Sequence, residues 1–142
     1  MDRREVLAAL GAGAAVLAGS GFVSAAAAAA EKDTCKMCID TTSKCLRECL
    51  ECYASCMNHV LEGHKDHMAC ARACLDCSEF CKLCLTICAR GGAMMATCCE
   101  ACAKACEQCA KACEKFPKDE KCVACAKMCR ECMKACTECC KS

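Results

Sequence analysis

The chain has 142 residues, a net charge of +1 and 25 cysteines, but only three phenylalanines, one tyrosine and no tryptophan. That length fits one domain. Near-neutral charge and so few stacking rings exclude a nucleic-acid surface, and no stretch after residue 30 is apolar enough to span a bilayer.

The first thirty residues, MDRREVLAALGAGAAVLAGSGFVSAAAAAA, stand apart in composition. An arginine pair, a Gly/Ala-rich apolar stretch and a run of small residues read as an export signal peptide over 1–30, cleaved among the alanines. Arg3-Arg4 followed by Val6-Leu7 is similar to a bacterial twin-arginine signal, although Asp2 and Glu5 dilute the positive region. The expected location is therefore the periplasm or the associated internal membranes of a bacterium. An ordinary secretory signal or an uncleaved anchor is the alternative. Residues 31–142 form the remaining unit, with no stable membrane insertion expected.

Within that unit glycine occurs only at Gly63, Gly91 and Gly92, and proline only at Pro117. These breakers cut it into segments 33–62, 65–90, 93–115 and 119–141. Each is rich in Ala, Lys, Glu, Met and Leu, so helix propensity agrees with the spacing. Glu100 with Lys104 and Glu107 with Lys111 add favourable i, i+4 pairs. Short connections between helices of about 35 Å predict an all-α fold, an antiparallel four-helix bundle.

The first segment carries Cys35, Cys38, Cys45, Cys49, Cys52 and Cys56, with Thr42 in the one missing slot. The second carries Cys70, Cys74, Cys77, Cys81, Cys84 and Cys88. At about 100° per residue, the six thiols of that second segment fall within an arc of roughly 80°. The third segment carries Cys99, Cys102, Cys106, Cys109 and Cys113, extended by Met95, with Cys98 beside the line. The fourth carries Cys122, Cys125, Cys129, Cys132, Cys136 and Cys139, with Cys140 adjacent. These are the core positions of bundle helices with thiols in place of leucines. Packed together, the four faces make a cysteine-lined core with little hydrocarbon.

Several chemistries compete for such a core. Thiols three or four apart on one helix are badly placed to bridge each other, which opposes a disulfide scaffold. The consecutive C-x-x-C steps of a bacterial iron–sulfur loop are missing, and no C-x-x-C precedes histidine, the signature of attached haem. A zinc tetrathiolate carries two net negative charges, and no lysine or arginine lies on the stripes to offset a row of them. Cu(I) is soft, accepts two or three thiolates, and forms neutral Cu⁺/S⁻ units when sulfurs bridge. Charge therefore favours monovalent copper, many ions per chain.

The stripes on all four segments, with the arginine-pair leader, resemble the bacterial four-helix-bundle copper storage proteins, over nearly the whole of 31–142. The resemblance implies a copper(I) store held by the core thiolates, in tetramers, that supplies copper enzymes such as the membrane methane monooxygenase. The acceptor would be such an enzyme or a copper chaperone. One metal per bridging sulfur gives on the order of twenty Cu(I) per chain.

The first stripe continues to His59, and the second, read backward, reaches His67. With His64 between them, all three histidines meet at one mouth beside Met57 and Met68, where weaker imidazole and thioether ligands would pass copper inward. Met37, Met94 and Met95 at the other end are expected to plug the core, and Phe116-Pro117 to form a corner. No Ser/His/Asp set, paired buried carboxylates or phosphate loop is present, so the protein is not expected to be an enzyme. The alternatives are a metallothionein-like sink for copper, zinc or cadmium, and a disulfide-rich structural protein of the envelope.

Overall fold

A computed structural model describes residues 25–141. Among them four helices follow in order: α1 (Ala25–Leu61), α2 (His67–Arg90), α3 (Met95–Cys113) and α4 (Glu120–Lys141). The four expected segments are all helical. The first begins earlier than its expected start, because the alanine run from Ala25 continues straight into the bundle helix. The arginine pair of the expected leader lies outside the described residues.

The breakers act through specific bonds. Gly63 adopts φ 101°, open to glycine without strain. Its N–H donates to the Val60 carbonyl at 3.0 Å and the His64 N–H to the His59 carbonyl at 2.9 Å, a Schellman closure of α1. Gly91, at φ 72°, ends α2. Before α4, Asp119 is the N-cap: its Oδ1 accepts the Cys122 N–H at 2.9 Å.

Consecutive helices pack against each other, and α4 closes the square on α1. The diagonal helices have no backbone contact and meet through sulfur on the axis. Cys38 and Cys99 lie 4.0 Å apart across one diagonal, Cys52 and Cys113 3.9 Å. Across the other, Cys74 and Cys125 lie 4.0 Å apart.

The buried apolar core consists of cysteine and alanine alone among the described residues. Larger apolar side chains sit outside: Leu75 and Phe80 are 39% exposed and Leu83 49%. A cysteine buries roughly two methylenes less than leucine, so each core position contributes about 1.5 kcal/mol less to folding. Charged groups stay on the surface, where Lys104 pairs with Glu100 at 2.8 Å and Lys111 with Glu107 at 2.7 Å, as expected. Among the described helices none is long and apolar enough to cross a membrane.

Candidate metal centre

The structure brings the four stripes together as a continuous column of thiols. None of the 25 cysteines is joined in a disulfide, and 23 are buried; Cys35 and Cys140 are half-buried. Cys98, off the ideal stripe, is buried at 4% exposure, whereas Cys140 turns its sulfur 3.2 Å from the Ala96 carbonyl.

The spacing of the sulfurs is that of ligands. Neighbouring Sγ atoms stand between 3.4 Å, for Cys70–Cys113, and 4.0 Å, for Cys81–Cys102. A disulfide would need about 2.05 Å. Three thiolates around one ion at about 2.3 Å would stand about 4 Å apart. Sets of four sulfurs lie within 4.8 Å of one another, and the sets overlap. Cys45 and Cys77 belong both with Cys49 and Cys129 and with Cys81 and Cys106. Cys49 and Cys129 belong again with Cys109 and Cys125. At the histidine end Cys52, Cys56, Cys70 and Cys122 make another set, and at the opposite end Cys38, Cys84, Cys88 and Cys99. A sulfur common to two sets is placed to bridge two ions when both are filled, which suits a lattice of small monovalent ions.

Burial opposes thiolate formation in the empty protein. It is the leading cause for Cys88, pushed up to about 12, and for Cys140, pushed up to about 11. Inside the column, neighbouring thiols decide. Cys70, hydrogen-bonded first to Cys113 and then to Cys122, is held well below the ordinary thiol value. A bound cation stabilises thiolates in place of these shared protons, so metal uptake releases protons.

Thr42 fills the missing slot as expected, fully buried. Its Oγ1 lies 3.7 Å from Cys132, 3.8 Å from Cys38 and 4.0 Å from Cys136. A hydroxyl is a poor ligand for a soft ion. Thr42→Cys is therefore expected to raise copper capacity by about one ion per chain, and Thr42→Val to leave it unchanged, as read by native mass spectrometry.

The three histidines do share one mouth. His59 and His67 stack with ring centroids 4.4 Å apart, and His64 meets His59 edge-on at 5.9 Å. His67 is 8% exposed and its Nδ1 has no hydrogen-bond partner. Met57 packs partly buried against the core, and Met68 is half-buried on the first turn of α2. Two further residues complete the mouth. Phe116, expected only as a corner, stacks on His67 at 3.9 Å. Asp119 Oδ2 lies 2.9 Å from His59 Nε2 and orients that ring. Burial raises the Asp119 carboxyl, but the Cys122 N–H and His59 outweigh it and hold it below the usual value. Its carboxylate thus stabilises the fold at neutral pH, and that contribution is lost as pH falls through the depressed value. The sequence did carry a signal for Asp119, a capping residue just after Pro117 and before a cysteine-periodic run.

At the opposite end the methionine expectation needs correcting. Met95 packs against the core, but Met37 is 50% and Met94 58% exposed. Both side chains face solvent, so neither plugs the core.

Comparison with known proteins gives this column its metal. The copper storage protein family model matches residues 31–141. A cytosolic copper storage protein from Streptomyces lividans, solved during copper loading with five coppers, is 25% identical, with TM-score 0.72. That match covers 80% of this chain and 98% of the other. The apo form of copper storage protein 3 from Bacillus subtilis is 28% identical, with TM-score 0.66, covering 74% of this chain and 97% of that one. No curated protein matches the sequence. The expectation of an exported, periplasmic protein is corrected by these findings: the Streptomyces relative is cytosolic, and the arginine pair and apolar stretch on which export rested lie outside the described residues. A match over nearly the whole thiol-lined bundle, joined to bridging sulfur sets in an uncharged core, places the chain in the copper storage protein family.

Proposed function

We propose that the protein stores copper as Cu(I), on the order of twenty ions per chain, as a neutral lattice bridged by the core thiolates. The overlap of four-sulfur sets around Cys45, Cys49, Cys77 and Cys129 carries this reading. Sulfurs common to neighbouring sets are placed to bridge, and in a column without cationic side chains one monovalent ion per thiolate cancels the charge. The ligands are Cys35, Cys38 and the other stripe cysteines through Cys139, with Cys98 and Cys140 at the margin.

Imidazoles and thioethers hold Cu(I) more weakly than bridging thiolates. His59, His64 and His67, with Met57 and Met68, therefore act as an intake relay at their mouth, and the orphaned Nδ1 of His67 supports this. The protein is a store without catalytic turnover, assembled as a homotetramer, and it hands copper to a copper chaperone or enzyme. In a methane oxidiser that enzyme would be the membrane methane monooxygenase.

Anaerobic titration of the reduced protein with Cu(I) against a strong chelator tests the reading. Uptake of about twenty ions is expected, followed by release to an acceptor of higher affinity. Saturation at a few ions would end the storage reading, and loading without release would make the protein a sink.

A further inference from the structure

The column is not sealed equally at its two ends. Beneath the stacked rings of the histidine mouth, Cys56, Cys113 and Cys122 are 0% exposed and Cys70 1%. At the opposite end Cys98, Cys139 and Cys88 show 4%, 5% and 6% of their surface, and Cys35 and Cys140 are half-buried. The antiparallel order gathers these five, since the stripes of α1 and α3 begin where those of α2 and α4 finish. Short sulfur–sulfur contacts mark this end and the column behind it. Cys35 Sγ is 3.6 Å from Cys139 Sγ. Cys88 Sγ is 3.5 Å from Cys99, which lies 3.8 Å from Cys84 and 4.0 Å from Cys38.

Cu(I) passes between thiolates by associative exchange: the incoming sulfur bonds before the outgoing one leaves, so the ion is never bare. The step needs a sulfur that solvent can reach, and the histidine mouth offers none. We propose that the end formed by Cys35, Cys139 and Cys140 is a thiol port, separate from the histidine mouth, where Cu(I) is exchanged with thiolate carriers. The proposal rests on the storage reading above. In the exchange copper stays monovalent: the carrier's S–Cu bond breaks, a bond to a port sulfur forms, and the port thiol's proton passes to the freed carrier thiolate. The carrier is either a small thiol or a protein with a C-x-x-C pair, since both present the same ligand.

The test follows transfer by anaerobic stopped flow from Cu(I)–glutathione and, separately, from a Cu(I)-loaded C-x-x-C carrier domain. The triple variant Cys35→Ser, Cys139→Ser, Cys140→Ser is expected to load about tenfold more slowly from at least one donor, because exchange rate follows thiol access. Which donor slows identifies the carrier class. Its final capacity is expected to fall by only about three ions. Equal loading by wild type and the triple serine variant from both donors would overturn the port. Storage itself is read independently from the final capacity. In unaltered protein, brief alkylation is expected to label Cys35 and Cys140 before Cys56, Cys70, Cys113 and Cys122. Labelling that starts at the histidine end would overturn the proposal even if the serine variant failed to fold.

Discussion

Filling the reduced protein with Cu(I) is expected to raise its Tm by about 20 °C, and a chelator to reverse the gain. Among the described residues the bundle buries only cysteine and alanine as apolar core, so without metal it has little hydrophobic stabilisation. A ligand present at a thousand times its Kd adds about 4 kcal/mol per site when it binds only the folded state. The unfolded chain also offers 25 thiols, which removes much of that advantage. The folded chain still holds the sulfurs already 3.4 to 4.0 Å apart, a preorganisation the unfolded chain lacks. A net gain of about 5 kcal/mol, at about 4 °C per kcal/mol for a chain of this size, gives the expected shift. Anaerobic scanning calorimetry at stepped copper loads measures it. A rise of only a few degrees at full load would mean that copper does not hold the core together.

Cys106→Asp is expected to destabilise the empty protein by about 3–5 kcal/mol at pH 7, against about 1 kcal/mol for Cys106→Ala. Cys106 is completely buried, with Cys77 at 3.7 Å and Cys45 at 4.0 Å, and no cationic side chain lines the column. An aspartate there has no counter-charge, so its folded pKa rises above the unfolded value of about 3.9. Below that unfolded value both states are protonated and the charge penalty vanishes. As pH rises above it, stability falls by about 1.4 kcal/mol per unit until the folded pKa is reached. Urea denaturation with reductant at pH 5 and pH 7 separates the two variants, because the alanine cavity has no such slope in this range. An aspartate variant as stable at pH 7 as at pH 5 would show that the column admits water. The same water would screen a row of zinc tetrathiolates and remove the charge argument for Cu(I).

The fold was largely legible because cysteine recurs at helical spacing in all four segments, and glycine and proline fall only between them. The histidine mouth was legible in part. His59 and His67 continue the thiol stripes, so periodicity alone put them at one end. Phe116 and Asp119 belong to a different connection, and only the packing of α3 and α4 beside α1 and α2 sets Phe116 3.9 Å from His67 and Asp119 2.9 Å from His59. Met37 and Met94 were misplaced because thioether type was weighed above angular position on the helix. Export failed as an expectation because a composition-based leader says nothing about where the bundle itself works.

The sequence by itself determined the helices, the inward face of each and the sulfur chemistry of the core, since periodicity and composition are properties of each segment alone. Tertiary structure alone decided which sulfurs are shared between ligand sets, which are sealed under the histidines and which meet solvent at the other end. Those are distances between helices, fixed by how four faces close on one axis, and no single segment encodes them.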